Sequence, residues 1–308
     1  MESTVYVSFL SQVIWQVAPV VLAGLAGFVY MRGWLRLRRR LPDVARPRRL
    51  FFFGLGLIAI TAVHLPPLTS LSEQLLFVRS IAKILTVMLA PPLLWLAIPI
   101  HVMLLGLPKP LRRRGAHLLF VASPARNTLR TMTAPGLAWL LFISAFLIWH
   151  DARFASWSMQ QLWSRHLALW VLLLTALLYW GHVVGACPRI HERLPGWVFF
   201  AYLIGADIPN MVSGVTISFT GHPIYSYYAA AHAAGNNPLG LDAINDQIIA
   251  GGLVWFFGSM VYFGSAVLVM GRSFKHDSPQ PFPNWDADER MIAPGLEHRL
   301  TEKKEHRG

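Results

Sequence analysis

The stretch FVRSIAKILTVMLAPPLLWLAIPI, residues 77–100, is apolar enough to cross a bilayer, yet Arg79 and Lys83 sit inside it. Residues four apart share one helix face, so a helix here points both cations the same way. A cation in hydrocarbon costs on the order of 3 kcal/mol on insertion scales, and two on one face demand anionic partners or a water-filled pocket. Two carboxylates lie in other apolar stretches: Asp207 in FFAYLIGADIPNMVSGVTISF and Asp246 in LDAINDQIIAGGLVWFFG. Matching them by depth predicts two pairs, Lys83 with Asp207 and Arg79 with Asp246, with Gln247 next to the second. Asp207 also opens a polar stripe at helical spacing through Asn210, Met211 and Gly214. Such pairs either lock a bundle together or line a functional polar pocket.

A second constellation is built from histidine. His64, His150, His166, His222 and His232 all fall at one end of the apolar stretches they flank, with Met159 and Met211 in reach of that end. Neutral imidazole with a thioether suits copper, which makes His64, His150, His166, His222 and Met211 the candidate metal set. No two of these histidines show a close ligand spacing, and an interfacial hydrogen-bonding anchor is the competing reading of each. Cys187 is the only cysteine, so no disulfide framework or thiolate cluster forms within the chain. There is no Walker A loop, no His-Glu-x-x-His and no Gly-x-Ser-x-Gly. Nothing specifies a reaction, and a non-enzymatic role is the expectation.

The elements that must position these residues are membrane helices. Apolar residues make up 55% of the 308 and charged ones 14%, with a mean hydropathy of +0.46, a composition suited to lipid. Seven stretches read as spans, at about 13–31, 50–66, 76–100, 135–150, 166–185, 197–216 and 247–270, the second and fourth being short. The predicted fold is an all-α bundle of seven transmembrane helices over residues 1–275, followed by a polar, Pro-rich, partly disordered tail over 276–308. The first span lacks a basic n-region and a small-residue cleavage site, and is expected to be retained. Gly251 and Gly252 are expected to let the last helix approach a neighbour closely.

Lys and Arg alternate by loop. Eight lie in 31–49 and six in 101–134, whereas 217–246 holds none. The positive-inside rule then puts the N-terminus outside, the C-terminus in the cytoplasm and the histidine-bearing end at the periplasm. The net charge of +12 is thus a matter of topology. Without an aromatic-interleaved basic module, nucleic acid is excluded as a partner, and membrane lipid is the expected surroundings. No inverted pair of broken spans favours a transporter.

The order of motifs carries more than any one of them. Ala90-Pro91-Pro92-Leu93-Leu94 with Pro99, the Trp149-His150 pair, RHLALWVLLLTALLYW, Pro223-Ile224-Tyr225 with Tyr228, and Asp246-Gln247 followed by Gly251-Gly252 and Trp255 together resemble the CtaG family of bacterial cytochrome c oxidase assembly factors, over about residues 50–270. The resemblance implies seven spans in the inner membrane and a role in forming a haem-copper oxidase. It implies oxidase subunits or other respiratory-complex proteins as partners and copper handling at the periplasmic side, and it adds Tyr225 to the polar pocket. One departure is large. Where the family pattern has His-Met-x-x-His at the head of the third span, this chain has Arg79-Ser80-Ile81-Ala82-Lys83, and a further expected histidine is Leu162. A guanidinium has no lone pair for a metal, so copper binding is expected to be weakened. An accessory subunit of a respiratory complex and a small-ion transporter are the competing functions.

Overall fold

A computed structural model describes residues 2–42, 45–120, 124–185, 191, 195–235 and 238–274. Cys187, Arg189, Arg193 and the expected tail over 276–308 lie outside the described residues. Every regular element among the described residues is helical: α1 (Glu2–Arg40), α2 (Pro47–Ala62), α3 (Leu68–Gln74), α4 (Leu76–Ile84), α5 (Ala90–Leu96), α6 (Pro99–Gly106), α7 (Lys109–Phe120) and α8 (Pro124–Met132). The second half continues with α9 (Pro135–His150), α10 (Ala152–Gln160), α11 (Leu162–Val184), α12 (Gly196–Phe219), α13 (Ser226–Ala233) and α14 (Ala243–Phe274).

By length and apolarity five helical segments can cross a membrane: Ile14–Arg39, Leu76–Leu96, Leu162–Val184, Gly196–Phe219 and Ala243–Leu268. Helices α8 and α9, bent by 46° at their junction, make a sixth if taken as one span. The expected count of seven is not reached on these criteria. The missing one is α2, whose 16 residues reach only about 24 Å at 1.5 Å each, short of a hydrocarbon core of roughly 30 Å. Pro47 opens it and Pro66-Pro67 lies just past its end.

The third expected span is also interrupted. Between α4 and α5 the chain widens into a π-helical turn, Leu85–Leu89, directly before Pro91 and Pro92. Pro91 has no N–H to give the carbonyl four residues back, at Val87. Trp180 Nε1, on α11, donates to that oxygen at 2.7 Å, so the span is bound sideways to its neighbour where its own ladder fails. Ahead of Pro99, Ile98 takes the left-handed region at φ 53. Proline disfavours the right-handed helical conformation in the residue before it, and the helix stops there instead of running on to Ile100.

The most extensive pairing is α12 on α14, and glycine makes it close. A Cβ on Gly251 would stand 2.5 Å from the Gly214 carbonyl, one on Gly214 would stand 2.7 Å from the Trp255 Cβ, and one on Gly258 would strike the Asn210 side chain. Gly252, expected to share this role, faces open space. At the bundle centre α9, α11, α12 and α14 meet through stacked Phe142, Tyr179 and Tyr202, with Trp180 stacked on Tyr262.

Candidate functional site

Helix α4 begins with Leu75 at its N-cap position, a residue with no side-chain oxygen to take the first free N–H groups. The cap comes from another helix. Asp246, in the first turn of α14 and 1% exposed, accepts from Leu76 N–H at 2.8 Å and Phe77 N–H at 2.9 Å. An anion at a helix N-terminus also meets the positive end of the helix dipole. His232 Nε2 donates to the same carboxylate at 2.9 Å.

The next residue extends the clamp. Gln247 Oε1 accepts from Ile224 N–H at 2.8 Å, while its Nε2 donates to the carbonyls of His222 and Thr220 at 3.1 and 3.3 Å. This fixes the loop that carries Tyr225, whose hydroxyl donates to the His150 carbonyl at 3.2 Å. Burial pushes the Tyr225 phenol up, more than nearby Arg79 draws it down, so the hydroxyl stays protonated and remains a donor.

His150 closes the circuit. Its Nδ1 lies 2.8 Å from the Phe146 carbonyl, and a carbonyl can only accept, so Nδ1 carries the proton and Nε2 the lone pair. Lys83 Nζ lies 3.1 Å from that Nε2 and donates to it. Lys83 is 0% exposed, and its Nζ rests 4.7 Å from the centre of the Phe146 ring. One turn earlier on α4, Arg79 lies over Trp149 at 4.4 Å and reaches Ser158 Oγ at 3.5 Å. Aromatic faces attract cations electrostatically, which offsets part of the burial cost. The ring therefore runs from α4 to α14, through the Tyr225 loop to α9, and back to α4.

Neither expected ion pair forms. Asp246 serves backbone N–H groups and His232, and Asp207 accepts from Ser259 Oγ at 2.9 Å and Asn210 Nδ2 at 3.5 Å. The depth match failed because it considered side chains alone. A carboxylate takes charge-assisted bonds from the free N–H groups of a helix start as well as from a guanidinium, and the lone pair of a neutral imidazole can accept from a lysine amine. Met211 leaves the polar stripe as well, being 48% exposed, whereas Asn210 is 0% exposed against α14.

The five candidate copper ligands divide. His64 and His166, 1% and 0% exposed, meet with their Nδ1 atoms 2.6 Å apart, sharing one proton as donor and acceptor. Their rings stack on each other, His166 against Trp15 and His64 against Trp170. His166 Nε2 is buried with no partner. His150 has both ring nitrogens engaged, His222 is exposed, and Met211 faces outward. Among the described residues no group of three or more His, Cys, Asp or Glu side chains could hold a metal. The expected copper set therefore does not fit a single multi-ligand site.

Sequence reasoning missed Ser158, the seat that Trp149 gives Arg79 and the capping role of Asp246. Only Trp149 carried a signal, by adjoining His150. It also missed the link of Arg165 to Glu73 and to the Met159 carbonyl, and the Tyr228 hydroxyl on the Ser72 carbonyl at 2.7 Å. The first ties α3 and α10 to the head of α11, and the second ties α13 to α3.

No curated protein and no solved structure matches the chain. A family model described as cytochrome c oxidase caa3 assembly factor (Caa3_CtaG) matches residues 28–276, a range that contains every member of the ring from Arg79 to Gln247. The chain belongs to the caa3-type cytochrome c oxidase assembly factor family.

Proposed function

We propose that the protein assists assembly of a haem-copper terminal oxidase in the bacterial cytoplasmic membrane, through contacts with oxidase subunits and with its polar ring toward the periplasm. The observation that carries this reading is the family match over residues 28–276. The charge pattern supports a seven-span topology in which α2 crosses a locally thinned bilayer with the N-terminus outside. Labelling of single cysteines on a Cys187→Ser background is expected to reach a probe near His222 from the periplasm and to leave one near Arg113 protected. The opposite result would reverse the orientation.

A second reading, a permanent accessory subunit, is favoured by the ring itself, whose donors and acceptors largely satisfy one another. Deletion of the gene, with the finished oxidase quantified by haem spectra and by the protein copurifying with it, separates the two. An assembly factor leaves less mature oxidase on deletion and is substoichiometric in the product. A subunit copurifies one to one. A normal level of mature oxidase after deletion would refute both.

Copper handling by this chain, if part of the function, cannot use His150 as it stands, because Phe146 and Lys83 occupy both ring nitrogens. The purified protein is therefore expected to bind copper weakly or not at all, as read by metal analysis after equilibrium dialysis against Cu(I). Stoichiometric copper that disappears in His166→Ala would instead assign the metal to the His64–His166 pair.

A further inference from the structure

A cavity of about 690 Å³ opens where α1 ends and α6 turns into α7. The close approach of α1 and α6 creates it. A Cβ on Gly33 would strike the Val102 carbonyl and one on Gly106 the Val29 carbonyl, so the two backbones touch there. Past Gly106 the chain turns at Leu107-Pro108 into α7, and the segments separate. Arg36 spans the gap by donating to the Leu105 and Leu107 carbonyls.

Five cations line the cavity: Arg32, Arg36 and Arg39 from α1, and Lys109 and Arg112 from α7. The three from α1 fall at steps of four and three residues, which puts them on one face. Among the described lining residues there is no carboxylate, and the others are apolar, Leu105, Leu107 and Pro108. The position matters as much as the charge. The segment Ile14–Arg39 is itself apolar enough to be a span, so its arginine end lies at the boundary between hydrocarbon and water.

We propose that this cavity binds the headgroup of an anionic phospholipid from the surrounding leaflet. The guanidinium groups of Arg32 and Arg39 take the phosphate oxygens by paired N–H donors, with Lys109 beside them, and the apolar wall lies along the glycerol and the first methylenes. A soluble anion would use the cations but have no use for that wall. A basic recess between helices at the membrane surface suits the fixed, two-dimensional supply of anionic lipid. The inference does not depend on the assembly role.

The test uses the full-length protein. It is extracted in mild detergent and titrated with phosphatidylglycerol, cardiolipin or phosphatidylcholine, with bound lipid counted by native mass spectrometry. The wild type is expected to retain the two anionic lipids at least about tenfold better than phosphatidylcholine. Each cation near a headgroup is worth roughly fivefold in affinity, so Arg32→Gln/Arg39→Gln/Lys109→Gln should lose about a hundredfold. The control Arg113→Gln/Arg114→Gln/Arg130→Gln removes as much charge from elsewhere and should lose little. Equal retention of all three lipids by the wild type, or equal losses in the two triple variants, would overturn the proposal. So would displacement of the lipid by millimolar inorganic phosphate, which would make the cavity a free-anion site. If the first triple variant fails to fold, the wild-type lipid preference and the phosphate competition decide by themselves.

Discussion

Asp246→Ala is expected to destabilise the protein by roughly 3–5 kcal/mol. It leaves the buried N–H of Leu76 and the part-buried N–H of Phe77 without an acceptor, at about 1–3 kcal/mol each. It also takes from His232 its carboxylate. The loss should be local as well as global, because α4 has no side-chain cap of its own. Amide hydrogen exchange at Leu76 and Phe77 should therefore accelerate more than exchange in the centre of α12. Asp246→Asn keeps one acceptor oxygen and should recover part of the stability, a graded series measured by unfolding in detergent. An Asp246→Ala protein as stable as the parent would show that solvent or another group caps α4.

The second large effect concerns Lys83. His150→Leu removes the acceptor from a side chain that is 0% exposed, and leaving a buried donor of this kind unsatisfied costs about 3 kcal/mol. Adding Lys83→Met should restore most of that, because replacing both members of a buried polar pair by apolar groups of similar volume is close to neutral. The four corners of the cycle should show strong coupling, and simple additivity would mean the contact contributes nothing. Asp207→Asn, by contrast, should cost no more than about 1 kcal/mol, since Ser259 and Asn210 can still donate to the remaining carbonyl oxygen. Oxidase assembly measured on the folded double variant then tells whether the buried charge serves function or only holds the bundle together.

How much of the site was legible depends on the kind of partner each residue found. The polar residues themselves stood out in the sequence, because an ionisable group within an apolar stretch is costly enough to need a reason. Arg79, Lys83, Asp246 and Gln247 lie at the ring, joined there by Tyr225, which the family resemblance supplied. Their pairings were not legible. Asp246 bonds backbone N–H groups, His150 accepts through a nitrogen whose availability follows from its bond to Phe146, and Tyr225 reaches a carbonyl. Backbone groups are present at every residue, so no side-chain pattern marks the one that will be used.

The sequence by itself determined that the chain is helical and apolar enough for membrane, that its basic residues alternate between loops, and which family it resembles. These follow from local or one-dimensional properties: hydrophobic run length, charge along the chain and motif order. The tertiary structure alone decided that Gly251 but not Gly252 lies in a helix contact, and that Met211 and His222 stand apart from the buried histidines. It also decided that Arg32 and Lys109, far apart in sequence, line one cavity. Each depends on how helices rotate and dock against one another, and that rotation is set by packing across the whole bundle, which periodicity within one helix does not encode.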